Sequence, residues 1–123
     1  MAVDGKNVYM TNIYHMHVKQ HYFDLLETGS KSVEFRLNDA KRQCIKVGDK
    51  VRFVCQNDRS RFVVLTVSGI LVSSAFETLI TKIDHNLLGG ISPQQQLKEL
   101  EEIYDSASVQ KYGVIALMLE RAA

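Results

Sequence analysis

Lys31, Glu34 and Arg36 bring an amine, a carboxylate and a guanidinium into one short run, Gly29-Ser30-Lys31-Ser32-Val33-Glu34-Phe35-Arg36. From Ser32 on, the run alternates polar and apolar, the period of two that marks a half-buried strand. Ser32, Glu34 and Arg36 then share one face, and Val33, Phe35 and Leu37 share the other. At a rise of about 3.3 Å per residue, the two charges stand about 7 Å apart along the strand. Lys31, just past the Gly29 turn, can swing to either face. Such a face is either the floor of a recess or a row of solvated charges, and an exposed pair would be worth less than about 1 kcal/mol.

Two chemistries suit a recess. In a binding site, the carboxylate of Glu34 accepts from an exocyclic amine or a ring N–H, and Arg36 grips a phosphate or a guanine edge bidentately. Lys41, Arg42, Lys46 and Arg52 would hold flanking phosphates, with Tyr14, Tyr22 or Phe35 stacking on an unpaired base. In an enzyme, burial and the nearby Arg36 would lower the pKa of Lys31 until it serves as base or nucleophile. Glu34 would then shuttle protons for water attack on an amide or a phosphodiester.

The elements that must position these groups are legible on either side. Tyr14, Met16 and Val18 alternate with His15, His17 and Lys19, which predicts a strand over Ile13–Lys19 after a frayed Met1–Asn7. Two histidines at i and i+2 can chelate a metal, but no Cys or carboxylate falls at the matching spacing, so no metal or cofactor is expected. His21–Thr28 reads as a short helix that Gly29 ends in the left-handed conformation. After the Lys31 strand come a helical turn over Ala40–Cys44 and the turn Val47-Gly48-Asp49. A hairpin follows, with strands over Val51–Cys55 and Arg61–Val67 joined by Gln56–Ser60. The second strand is apolar enough to suggest cover on both faces, and Gly69 interrupts it as a bulge glycine would. Ser74-Ala75-Phe76-Glu77 has the form of a capping box for a helix through Thr81. Leu87–Gly90 reads as a flexible crossing loop. Ser92-Pro93 opens a longer helix to Tyr104 that should bury Leu97, Leu100, Ile103 and Tyr104. Tyr112–Leu119 is an apolar strand suited to a central place in a sheet.

This order lacks the helix after every strand that a doubly wound sheet needs. It predicts a mixed α+β fold, mainly β: a small, bent, mostly antiparallel barrel with two to three helices. At 123 residues, 46% apolar and 24% charged, the chain is expected to form one globular domain over residues 1–123. No stretch matches a signal peptide or a membrane helix, so a cytoplasmic protein is expected, its Cys44 and Cys55 reduced and partly buried. The net charge of +1 conceals a division. Residues 30–61 hold nine Lys/Arg against four acids, and residues 62–110 hold two against six. A basic half favours an anionic partner such as RNA or a nucleotide.

The run from Tyr22-Phe23-Asp24 through the Gly29–Arg36 segment to Lys46-Val47-Gly48-Asp49-Lys50-Val51-Arg52-Phe53 resembles the ASCH domain, a branch of the PUA-like superfamily. The tail, Ile103-Tyr104 and Tyr112-Gly113-Val114-Ile115-Ala116-Leu117, is similar to the closing strand of that family. The resemblance implies a PUA-like β-barrel whose cleft, beside a helix, takes RNA or a modified nucleoside. It extends to the bacterial N4-acetylcytidine amidohydrolases, which pair a lysine in the glycine turn with a threonine three residues on and a later glutamate. On this chain the lysine falls on Lys31 and the threonine on Glu34. The glutamate falls near Gly89, where no carboxylate stands.

Overall fold

Period-two burial starts in the first strand, β1 (Ile13–Val18), where Met16 and Val18 are buried and both histidines are exposed. The computed structural model describes residues 11–121, so the expectation of a frayed Met1–Asn7 lies outside them. Helix α1 (Gln20–Thr28) follows and buries Phe23 and Leu26, and Gly29 ends it at φ 82°. Strand β2 (Val33–Leu37) leads through a 3-10 turn at Arg42–Cys44 to β3 (Lys50–Cys55) and the long β4 (Phe62–Ser73). Helices α2 (Phe76–Lys82), α3 (Pro93–Ile103) and α4 (Ser106–Tyr112) come before the last strand, β5 (Val114–Arg121).

The strands form one sheet in the order β1-β3-β4-β5-β2. Only the β1–β3 pair is parallel; the rest are antiparallel. The sheet curls into a half-barrel, so the fold is mixed α and β as expected, but among the described residues four helices accompany the five strands where two to three were expected, and the fold is not mainly sheet. One core lies between the sheet and α1, built on Met16, Phe23, Leu26, Phe53 and Leu117. A second lies on the opposite face beneath α2 and α3, built on Val33, Phe35, Leu79, Leu100 and Ala116. Strand β5 is apolar from Val114 to Leu119 because Ile115 and Leu117 enter the first core while Val114 and Ala116 enter the second; Glu120 and Arg121 end it exposed.

Several expectations need correction. Strand β4 is not covered on both faces: Phe62 and Val72 are exposed, and the strand runs on to Ser73 through a register shift between Val67 and Gly69. The bulge does fall at Gly69, where an added Cβ would press on Met118. Ser74 caps nothing; α2 starts at Phe76 with Ala75 as an N-cap that makes no side-chain bond. Ser92 does cap α3, accepting from the backbone N–H of Gln95. Ile103 is exposed at the end of that helix, and Gln96 is buried in its place. Leu87–Gly90 is a packed crossing, for Leu88 is fully buried and its backbone bridges to Lys31. Helix α4 was not foreseen; Asp105 caps it by accepting from the Ser108 N–H. Cys55 is buried and Cys44 is exposed. Among the described residues, no helix is long and apolar enough to cross a membrane.

Candidate functional site

The curl brings edge strand β2 back towards edge strand β1, and the gap between them is a cleft of about 160 Å³ roofed by α3. Alternation places Glu34 and Arg36 on the face of β2 that looks into this gap, while Val33 and Phe35 pack beneath the helices. Glu34 is buried and the Arg36 side chain is 15% exposed, so the pair is no solvated surface bridge. Arg36 Nε donates to Glu34 Oε2 at 2.7 Å, and Arg36 Nη2 donates to the His17 carbonyl at 2.9 Å. One guanidinium thus ties the two edges of the half-barrel together. Burial works against the charge on Arg36, but Glu34 and the Tyr104 hydroxyl outweigh it and hold its pKa above the usual value. Tyr104 is itself pushed up, chiefly by burial.

Lys31 lies at the back of the cleft, 2% exposed. Its Nζ donates to Gln96 Oε1 at 2.5 Å and sits 5.2 Å from the Tyr22 ring centre and 5.6 Å from that of Phe35. Burial lowers its pKa to about 8, against the pull of Glu34, which favours the charged form. Arg36, expected to share in that lowering, is not among its causes. Two aromatic faces and one amide oxygen substitute for the water an ammonium would otherwise keep.

Five of the residues singled out in the sequence therefore meet: Lys31, Glu34, Phe35, Arg36 and Tyr22 line one cleft. The others do not join them. Ser32 is engaged through its backbone, its N–H donating to the Leu87 carbonyl and its own carbonyl accepting from the Leu119 N–H. Arg42 is tied to Asp39 at 3.0 Å, Lys41 is exposed beside it, and Arg52 lies over the Phe62 ring on the far face of β3. Tyr14 donates to the Cys44 carbonyl at 3.1 Å, away from the cleft. Conversely, Gln96, Tyr104, Lys19 and Gln56 line the cleft without having been foreseen. Gln96 was detectable in principle, because it stands one turn before Leu100 on a helix face that is otherwise apolar. A second contact fixes the wall: the Tyr22 hydroxyl donates to Glu99 of α3, whose other oxygen accepts from Gln95.

A curled five-stranded sheet with a polar cleft in its open seam and a helix across it matches the PUA-like fold. The chain belongs to the ASCH family: the ASCH domain model matches residues 16–122. Among solved structures, the hypothetical protein PH0355 is similar at 30% identity and a TM-score of 0.76, over 89% of this chain and 99% of that one. Protein PF0455 from Pyrococcus furiosus is similar at 28% identity and a TM-score of 0.66, over 88% of this chain and 96% of its own. The ASCH protein from Zymomonas mobilis shares the fold at 14% identity and a TM-score of 0.63, over 89% of this chain and 67% of its own. No curated protein matches.

Proposed function

We propose that the cleft takes one unpaired base, presented by RNA or by a free nucleoside. The observation that carries this reading is size joined to polarity. A volume of about 160 Å³ is close to the roughly 150 Å³ that admits a single benzene ring. It falls short of the roughly 300–1,000 Å³ of pockets for larger ligands. The walls suit a base: Tyr22 and Phe35 offer ring faces, and Glu34 offers Oε1, which no donor among the described residues occupies. Because Gln96 gives its oxygen to Lys31, its amide N–H₂ remains free to donate. An acceptor and a donor set across a ring-sized space can read the polar edge of a base. Membership of the ASCH family, a PUA-like fold often linked to RNA, supports the same reading, and a cytoplasmic setting fits it. Calorimetric titration of the common nucleosides, and of short single-stranded RNA, tests it. Glu34→Gln should weaken binding at least tenfold by turning an acceptor into a mixed group, and unchanged affinity would refute the role of the cleft.

Lys31 favours a second reading, a hydrolase for an N4-acetylcytidine-type amide. With a pKa of about 8, roughly a tenth of the amine is neutral at pH 7 and able to take a proton from water. Hydroxide would add to the acetyl carbonyl, the C–N bond would break, and the exocyclic amine would leave with a proton relayed by Glu34, yielding acetate and cytidine. The position near which the amidohydrolases carry their glutamate is Gly89 here, and a Cβ there would meet Lys31 at 3.0 Å. The catalytic set would therefore be Lys31 and Glu34 without a third carboxylate. Acetate release from N4-acetylcytidine, lost in Lys31→Met, is the expected signature; no release by the unaltered protein removes this reading and leaves the binding one.

A further inference from the structure

We propose that the uncovered face of β1, β3 and the first half of β4 is a track along which a single-stranded nucleic acid runs away from the cleft. The inference rests on the reading of the cleft as a base site. Alternation puts Ile13, His15 and His17 of β1 on this face. Register pairs them with Lys50, Arg52 and Val54 of β3, which in turn face Thr66, Val64 and Phe62 of β4. Helices α2 and α3 cover the same side of β5, β2 and the far half of β4 and stop there; among the described residues these three strands present a sheet face on which Ile13, His15, His17 and Phe62 are exposed, Arg52 and Val64 are half-buried, and Val54 is buried between its neighbours.

The row His17, Val54, Phe62 begins at the cleft, which His17 lines. With strands about 4.8 Å apart, Phe62 lies about 10 Å from the cleft edge, within reach of a chain whose base is held there. Phe62 is 49% exposed, and the Arg52 guanidinium carbon lies 4.0 Å from its ring centre. A guanidinium held flat on an aromatic ring turns its outer plane to solvent as a stacking surface and keeps its N–H groups for phosphate. No carboxylate among the described residues pairs with Arg52, and Lys50, one row further on, donates from its Nζ to the Thr66 hydroxyl at 3.4 Å. Among the described strand residues, register puts one acid on this side, Glu120, opposite Thr66 at the end away from the cleft. A large exposed aromatic, a stacked guanidinium, a lysine and two imidazoles on an open sheet fit a polyanion with flat bases.

The test compares a labelled ten-nucleotide RNA of mixed sequence, followed by anisotropy between 50 and 200 mM salt, with free nucleosides measured by calorimetry. Arg52→Gln and Phe62→Leu are both surface changes, and the second keeps an apolar cover on the sheet. Each is expected to weaken the ten-mer about tenfold, as loss of one stacking platform does, while nucleoside affinity holds. Arg52→Gln should also make the log–log salt slope shallower by about 0.7. If both variants bind the ten-mer normally while Glu34→Gln does not, the track is refuted and the cleft stands. If Arg52 and Phe62 are needed but no nucleoside binds, the face binds nucleic acid on its own, and both the cleft reading and a path leading from it are overturned. A sedimenting dimer that Phe62→Leu dissolves with no change in RNA affinity would make the face a self-interface and overturn the proposal.

Discussion

Lys31 holds its proton in the folded protein with a pKa of about 8, against an ordinary 10.5. Between those two values the unfolded chain keeps a proton that the folded chain has released, so stability rises with pH across that window. The full swing is about 3 kcal/mol. Urea denaturation from pH 7 to pH 11 should show this rise, and Lys31→Met should flatten it. A wild-type curve as flat as the variant would mean that the amine is hydrated after all. Gln96 works in the same balance, since it supplies the oxygen that the buried ammonium donates to. Gln96→Leu leaves the charge without that partner and should cost about 2–3 kcal/mol at pH 7. The loss should shrink above pH 10.5, where the amine is neutral in both states. A cost independent of pH would assign Gln96 to packing alone.

The elements around Lys31 are as tightly determined as the side chain. Gly89 has φ 72°, and a Cβ on it would come within 3.3 Å of the Lys31 backbone nitrogen and Cα. Gly90 has φ 88° with nothing within 4 Å. Both pay the left-handed backbone cost when changed to alanine, about 1 kcal/mol, but only Gly89→Ala must also push the β2 entry aside. It should lose about 2–3 kcal/mol and weaken nucleoside binding, while Gly90→Ala loses about 1 kcal/mol and binds normally; equal thermal shifts would refute the contact. The sequence made β2 legible because its alternation is local, and α3 because Ser92 and Pro93 mark its start. The packing of Gly89 on Lys31 was not legible, since 58 positions separate them and a Leu-Leu-Gly-Gly run reads as a loop by composition alone. Helix α4 was missed because Ser106–Tyr112 has no apolar stripe and is set by a single Asp105 cap.

At the scale of the molecule, the site exists because the sheet curls without closing. The β1–β3 pairing is parallel and joins segments about 37 residues apart, which no local pattern announces, so the approach of β1 to β2 could not be read from the strands themselves. The charge count misled for a related reason: Arg42 and Arg61 are engaged by acids at the surface, Arg42 by Asp39 and Arg61 by Asp24 and Glu27, while Arg36 alone among the basic half bridges the seam. That bridge replaces a ladder of backbone bonds with one planar fork, Nε on Glu34 and Nη2 on the His17 carbonyl. Arg36→Ala should strip the enclosed Glu34 of its counter-charge and cost about 3 kcal/mol or more. Arg36→Lys should recover little, because an ammonium cannot meet both acceptors in the fixed geometry of a guanidinium. Hydrogen exchange gives the distinguishing readout. Amides of β1 and β2, the two edges, should exchange faster in both variants, while those of β4 and β5, paired on both sides, keep their relative protection. Uniform acceleration across all five strands would mean that Arg36 contributes to stability in general and that the seam is held by something else.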